Sequence, residues 1–178
     1  RRWWQFRRRR RFGELVMRWL KHLLLADWLL WRSFPRATLL AIEKAVAASE
    51  QHHLGELRFV VEGGLSLTNL MRGKRSRARA IELFGSLRVW DTEANSGVLI
   101  YVLLADRRVE ILADRGIQAK VSNTAWQAVC THMQTEFRAG HFEAGSLLGI
   151  REVSELLAKH FPFEGANPNE LPDKPIVL

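Results

Sequence analysis

The sequence predicts an α/β fold: a small mixed β-sheet, built from one parallel β-α-β crossover plus an antiparallel hairpin, sandwiched between helices. Three stretches carry that expectation. Val98 to Leu104 is an unbroken apolar run rich in β-formers and too short to cross a membrane, so it suits a strand buried on both faces. Ala105-Asp106-Arg107-Arg108 then makes a tight polar break, after which Val109, Ile111 and Ala113 alternate with Glu110, Leu112 and Asp114. A parallel return would need roughly a dozen residues or more, so the pair is an antiparallel hairpin. Upstream, Leu57, Phe59 and Val61 alternate with Glu56, Arg58 and Glu62, and a helical stretch separates this strand from the hairpin. That arrangement is a right-handed parallel crossover.

The other elements follow in order. Residues 13–33 read as an added N-terminal amphipathic helix, with Arg11, Glu14, Arg18, Lys21 and His22 on one side and Val16, Leu20, Leu23, Leu24 and Leu30 on or near the other. Ser33 and Pro35 suit the start of the next helix, which runs to about His53 with Leu39, Ile42 and Val46 as its stripe. Residues 63–75 form the longest loop. A helix from Ser76 to about Trp90 carries Ala80, Leu83, Phe84 and Leu87, and residues 91–96 are a polar turn into the hairpin. After Arg115-Gly116, the spacing of Trp126, Val129, Cys130, Met133 and Phe137 predicts one helix. Ile150, Val153, Leu157 and Phe161 predict the last, from about Phe142 to His160. Residues 162–178 hold four of the five prolines and no periodicity, so they are expected as an extended tail along the surface. The chain thus divides into a basic Trp-rich tail and helix (1–33), an α/β domain (34–161) and a Pro-rich tail (162–178).

Charge separates the same regions. The chain carries a formal +8, but residues 1–12 contain seven Arg and no acid, which leaves 20 basic against 19 acidic residues elsewhere. Five of the seven Trp lie in the first 31 residues. Arg7, Arg8, Arg9, Arg10 and Arg11, with Trp19, Trp28 and Trp31, fit an interfacial anchor on an anionic membrane surface. Each basic residue near such a surface is worth about 1 kcal/mol. The same helix also suits docking on its own domain or on a partner chain. Non-specific nucleic-acid contact fits the tail too, whereas specific nucleic-acid reading is not expected without a reading module. Charged residues interrupt the segment that follows the arginines, so neither a signal peptide nor a transmembrane helix is expected, and the cytoplasm is the expected location. One cysteine, Cys130, excludes a disulfide framework and a disulfide-linked partner, and its place in an apolar stripe reads as a buried hydrophobe.

Catalytic patterns are sparse. Residues 63–75 lack the spacing of a phosphate loop, no HExxH occurs, and Gly145-Ser146 lacks the glycines of a nucleophile elbow. The hairpin geometry yields one candidate cluster: Asp91 and Glu93 can approach Asp114, and three carboxylates together would suit Ca²⁺ or Mg²⁺. The same acids equally suit helix caps, turns or pairing with Arg88 and Arg115. Glu62 and Asp106, at the opposite sheet end, are a second and smaller acidic set.

Asn95-Ser96-Gly97-Val98-Leu99-Ile100, Ala105-Asp106-Arg107-Arg108-Val109-Glu110-Ile111 and Arg115-Gly116-Ile117 together resemble the signature of the TPM domain. So does Phe137-Arg138-Ala139-Gly140-His141-Phe142-Glu143-Ala144-Gly145. The resemblance covers about residues 36–161. The family includes thylakoid proteins linked to photosystem II repair and many bacterial proteins of unknown role. It implies an α/β sandwich, with phosphatase activity and divalent-cation binding both proposed. The leading expectation is a cytoplasmic interaction or scaffold domain, peripheral to the membrane through residues 1–33. The alternative is a divalent-cation-dependent phosphatase, with Ca²⁺ or Mg²⁺ as cofactor.

Overall fold

A computed structural model describes residues 17–162 and 169–178. Residues 17–24 are helical, and a bend at Leu25 leads into α1 (Ala26–Ser33). Then come α2 (Arg36–Ser49), β1 (Glu56–Glu62), α3 (Leu67–Met71), α4 (Ser76–Ser86), β2 (Gly97–Leu103), β3 (Arg108–Ala113), α5 (Arg115–Gln118), α6 (Asn123–Arg138), α7 (Phe142–His160) and β4 (Ile176–Val177). The sheet order is β3-β2-β1-β4. β1 and β2 pair in parallel from Glu56 opposite Gly97 to Glu62 opposite Leu103, while β3 returns antiparallel, with Ile111 opposite Ile100.

The fully apolar β2 sits between two cores because each strand sends alternate side chains to opposite faces. Leu57, Phe59, Val61, Val98, Ile100 and Val102 face a core closed by α1, α2, α6 and α7. Val60, Leu99, Tyr101 and Leu103 face a second core under α4, with Leu65, Leu70 and Leu171. Each fully buried aliphatic or aromatic side chain contributes about 1.5–3 kcal/mol of burial. The α6 stripe of Trp126, Val129, Cys130 and Met133 is buried as its spacing predicts. Burial pushes the Cys130 thiol up to about 11.

Several boundaries differ from expectation for local reasons. Ser33 ends α1, and Pro35, extended at ψ 163°, caps α2. The latter stops at Ser49, before His53, where Glu50 turns inward to serve β1: its carboxyl oxygen accepts from the Leu57 N–H at 2.9 Å. The loop 63–75 contains α3, started by Ser66, whose hydroxyl accepts from the Asn69 N–H. α4 ends at Ser86 rather than Trp90, and the chain passes through Arg88 at φ 55°.

The N-terminal helices dock by a face that amphipathicity did not mark. His22 is only 3% exposed. Its Nε2 lies 3.0 Å from Asp106 and its Nδ1 accepts from the Leu65 N–H at 2.8 Å. Arg18 donates to the same Asp106 at 2.9 and 3.0 Å and to the Lys74 carbonyl. Gly63 and Gly64 let the helix backbone at Ala26 and His22 approach so closely that no Cβ fits. The polar contacts to Asp106 thus win the orientation, Leu30 enters the core, and Leu20, Leu23 and Leu24 are turned to solvent.

Of the tail expected over residues 162–178, residues 163–168 lie outside the described residues, and its end is part of the sheet. β4 pairs in parallel with β1 at Val60 and Val61, and the Leu178 N–H reaches the Val61 carbonyl at 3.0 Å. Arg58 donates to the carbonyls of Pro172 and Lys174 and holds this strap on the edge of β1.

Candidate functional site

Asp91, Glu93 and Asp114 are not gathered into one cation site. Among the described residues, no three His, Cys, Asp or Glu side chains form a group able to hold a metal ion. Asp91 is exposed and lies 3.6 Å from the Arg88 guanidinium. Glu93 is exposed, and its N–H donates to the Glu170 carboxylate at 3.1 Å. Asp114 caps α5, accepting from the Arg115 N–H at 2.7 Å, and its Oδ2 is buried without a partner. Antiparallel pairing does bring Asp114 to the start of β2, where its N–H donates to the Gly97 carbonyl at 2.8 Å, and Asn95 rather than the acids meets the two residues that follow it. Arg115 donates to the Asn95 side chain at 2.9 Å, and Gly116 packs on the Asn95 carbonyl.

The second set, Glu62 and Asp106, is occupied by the chain's own cations and hydroxyls. Glu62 accepts from Arg79 Nε at 3.0 Å and from the buried Tyr101 hydroxyl at 2.6 Å. Burial and the Glu62 charge raise the Tyr101 phenol far above its usual range. At Asp106, burial alone would raise the carboxyl, but the hydrogen bonds from His22 and Arg18 more than reverse it and hold it well below the usual range.

The anchor residues divide. Arg7, Arg8, Arg9, Arg10 and Arg11 lie outside the described residues, as do residues 13–16 at the start of the expected helix. Trp19 packs partly against the second core, whereas Trp28 and Trp31 are 60% and 58% exposed, with Arg32 over the Trp28 ring at 5.3 Å. Met17, Leu20, Leu23, Leu24 and Leu25 are exposed beside them. Among the described residues no helix is long and apolar enough to cross a membrane.

Two sites escaped the sequence reading. The first is a cavity of about 170 Å³ at the C-terminal end of β2. Its floor is Val102 to Leu104. Arg107 and Arg108 stand on one side, on the hairpin turn that Arg107 makes at φ 52°, and Gln134, Phe137 and Arg138 of α6 stand on the other. Phe142 of α7 stacks on Phe137 at 5.4 Å, and Leu29 of α1 adds a further apolar wall. No Asp or Glu is among the residues described as lining it. The neighbouring acids are engaged elsewhere: Asp106 with Arg18 and His22, Glu136 with His141 at 3.0 Å, and Glu143 with the Thr38 hydroxyl at 2.8 Å. Among the described residues no carboxylate pairs with Arg107, Arg108 or Arg138. The cavity is therefore cationic at its mouth and apolar within, an arrangement that can bind an anion with an apolar part. One signal pointed here: the Ala-Asp-Arg-Arg and Phe-Arg-x-Gly-x-Phe segments, far apart in sequence, meet across it.

The second is a carboxyl cluster under the C-terminal strap. Glu56 is fully buried; its Oε2 accepts from the N–H groups of Glu170 and Leu171 at 3.2 and 3.0 Å, and its Oε1 has no hydrogen-bond partner. Burial first, then the charges of Glu170 and Asp173, raise its pKa. Glu50 is pushed up to about 8 by burial, with Glu56 and Asp173 adding to the effect through charge and Asp173 through a hydrogen bond. Burial lowers neighbouring His53 to about 4.

Three comparisons bear on identity. The model of the TPM domain matches residues 33–156. The NMR structure of the BA42 protein from the psychrophilic bacterium Bizionia argentinensis superposes with a TM-score of 0.67 at 28% identity, covering 80% of this chain and 93% of that one. The solution structure of the N-terminal domain of a P. gingivalis protein superposes at 0.58 and 18% identity, covering 72% and 81%, a likeness of fold. No curated protein matches the chain. With its signature segments joined at one cavity, the chain belongs to the TPM domain family.

Proposed function

We propose that this TPM domain is an interaction module that seats on an anionic membrane surface through residues 1–33. One observation carries the reading: the docked N-terminal helices hold seven large apolar side chains, from Met17 to Trp31, in solvent while their polar side is locked to Asp106. An exposed apolar patch of this kind marks an interaction surface. The helices cannot bury it on their own domain without breaking the Arg18, His22 and Gly64 contacts. The seven Arg of residues 1–12 adjoin it in sequence, and Trp28 and Trp31 are the residue type that favours the membrane interface. An arginine-rich segment with such a face seeks an anionic leaflet, which in cells is the cytoplasmic one. The cation-dependent phosphatase reading rests on family resemblance alone, since its three carboxylates are apart and the described lining of the cavity has no nucleophile.

Sedimentation with vesicles tests the proposal. The full chain should pellet with phosphatidylcholine–phosphatidylserine vesicles, less with phosphatidylcholine alone, and much less after Trp28→Ser with Trp31→Ser, both exposed and so harmless to the core. Equal pelleting of the double variant, or no association of the full chain with anionic vesicles, would overturn it.

A further inference from the structure

We propose that the cavity at the end of β2 is a binding site for a small amphiphilic anion, a phosphate or carboxylate head carrying a short apolar chain. The inference goes beyond the membrane reading and rests on different residues. Arg107, Arg108 and Arg138 supply three guanidinium groups, each a planar fork of donors matched to carboxylate or phosphate oxygens. They are exposed, and no carboxylate among the described residues neutralises them. Surface arginines without a carboxylate are ordinary on a convex face. Here they ring an opening whose interior is Leu29, Phe137 and Phe142 above the floor of β2, so charge and apolar surface converge on one concavity. Convergent polar groups at the rim of an apolar pocket are what fix a ligand's orientation. At about 170 Å³ the cavity is smaller than the roughly 300–1,000 Å³ of drug-sized sites, which limits the apolar part to a few carbons. Arg107 sits on the hairpin turn, at φ 52°, and Arg138 on the last turn of α6, where its guanidinium reaches Gln134 at 3.5 Å.

Hexyl phosphate titrated into the full chain, followed by amide NMR and calorimetry, tests the assignment. Saturable shifts should concentrate at Leu29, Val102 to Arg108 and Phe137 to Phe142. Inorganic phosphate should bind at least tenfold more weakly, because it leaves the apolar walls unfilled. Arg107→Gln with Arg138→Gln, both on the surface, should weaken hexyl phosphate at least tenfold with the remaining spectrum unchanged. A short-chain phosphatidate that binds more tightly than hexyl phosphate points to a lipid as the source of the anion; one that binds more weakly points to a soluble ester. Either result supports the site. Hexylammonium binding as well as hexyl phosphate, inorganic phosphate binding equally, or full affinity in the double Arg variant overturns it.

Discussion

Replacing Glu50 by Gln should change how the domain's stability depends on pH. Glu50 lies between the end of α2 and the strap, with its carboxyl group facing the Leu57 N–H, Glu56 and Asp173. Its folded pKa of about 8 lies above the unfolded 4.5. The folded state therefore keeps a proton that the unfolded chain releases, and stability falls as pH rises from 4.5 to 8. His53 has the opposite sign: held neutral down to about 4 against 6.5 unfolded, it makes stability rise between those values. The two slopes offset each other below pH 6.5. Above it the His53 contribution is complete and the Glu50 slope is no longer opposed by it; Glu56, also raised by burial, has the same sign as Glu50.

At about 1.4 kcal/mol per pH unit, the interval from 6.5 to 8 costs about 2 kcal/mol. For a domain of this size that is a fall in Tm of roughly 4–8 °C. A Gln at this position keeps the acceptor for the Leu57 N–H and offers Asp173 an N–H where the protonated acid offered an O–H. Urea unfolding of parent and Glu50→Gln, run from pH 6 to 8.5, should show the gap between them widen by about 2 kcal/mol in favour of the variant. A constant gap would refute both the buried proton and the account of how the strap is held.

Two further predictions concern the scaffold. Gly97→Ala should cost at least about 3 kcal/mol by thermal unfolding, because a methyl there runs into the Val89 carbonyl oxygen, a backbone group that cannot turn aside. Asp106→Asn should remove a half-buried charged contact worth about 1–3 kcal/mol and raise hydrogen exchange across residues 17–33 while β1 to β3 stay protected. Because the Asp106 carboxyl is held below its unfolded value, its contribution is present above the unfolded pKa of 3.8 and is lost as pH falls below it, and only the parent should show that acid loss.

What was legible in the sequence was what periodicity encodes. β1 and the hairpin were bounded closely because a two-residue alternation, or a run buried on both sides, leaves few registers open. The parallel crossover followed from the helix between β1 and β2. Side-chain placement beyond the elements was less legible. The acids chosen for a metal site were near one another in topology, but two of the three had a closer local partner: Arg88 for Asp91, and the Arg115 N–H for Asp114. The helix expected over residues 13–33 was read by its apolar side; the described part bends at Leu25, and a half-buried aspartate decided which side docks. Glu50 and Asp173, separated by most of the chain, meet only because β4 joins the sheet, and two residues of strand leave no pattern to read.

Asp106 also links the two functional readings. It precedes Arg107 and Arg108 in the hairpin turn, and its carboxylate is taken up by Arg18 and His22. If the N-terminal helices left the body, that carboxylate would be freed beside the cavity's guanidinium groups and would compete for them. Leu29 would leave the apolar wall at the same time. A cationic, apolar-lined cavity therefore requires docked helices. The membrane reading is compatible with that requirement only if the helices meet the bilayer in place. Their geometry permits it, since Leu24, Trp28 and Trp31 are already turned outward while His22 and Leu30 remain buried. A membrane that instead stripped the helices from the domain would abolish anion binding. Hexyl phosphate affinity measured with and without anionic vesicles would therefore reveal whether the docked contacts survive at the surface.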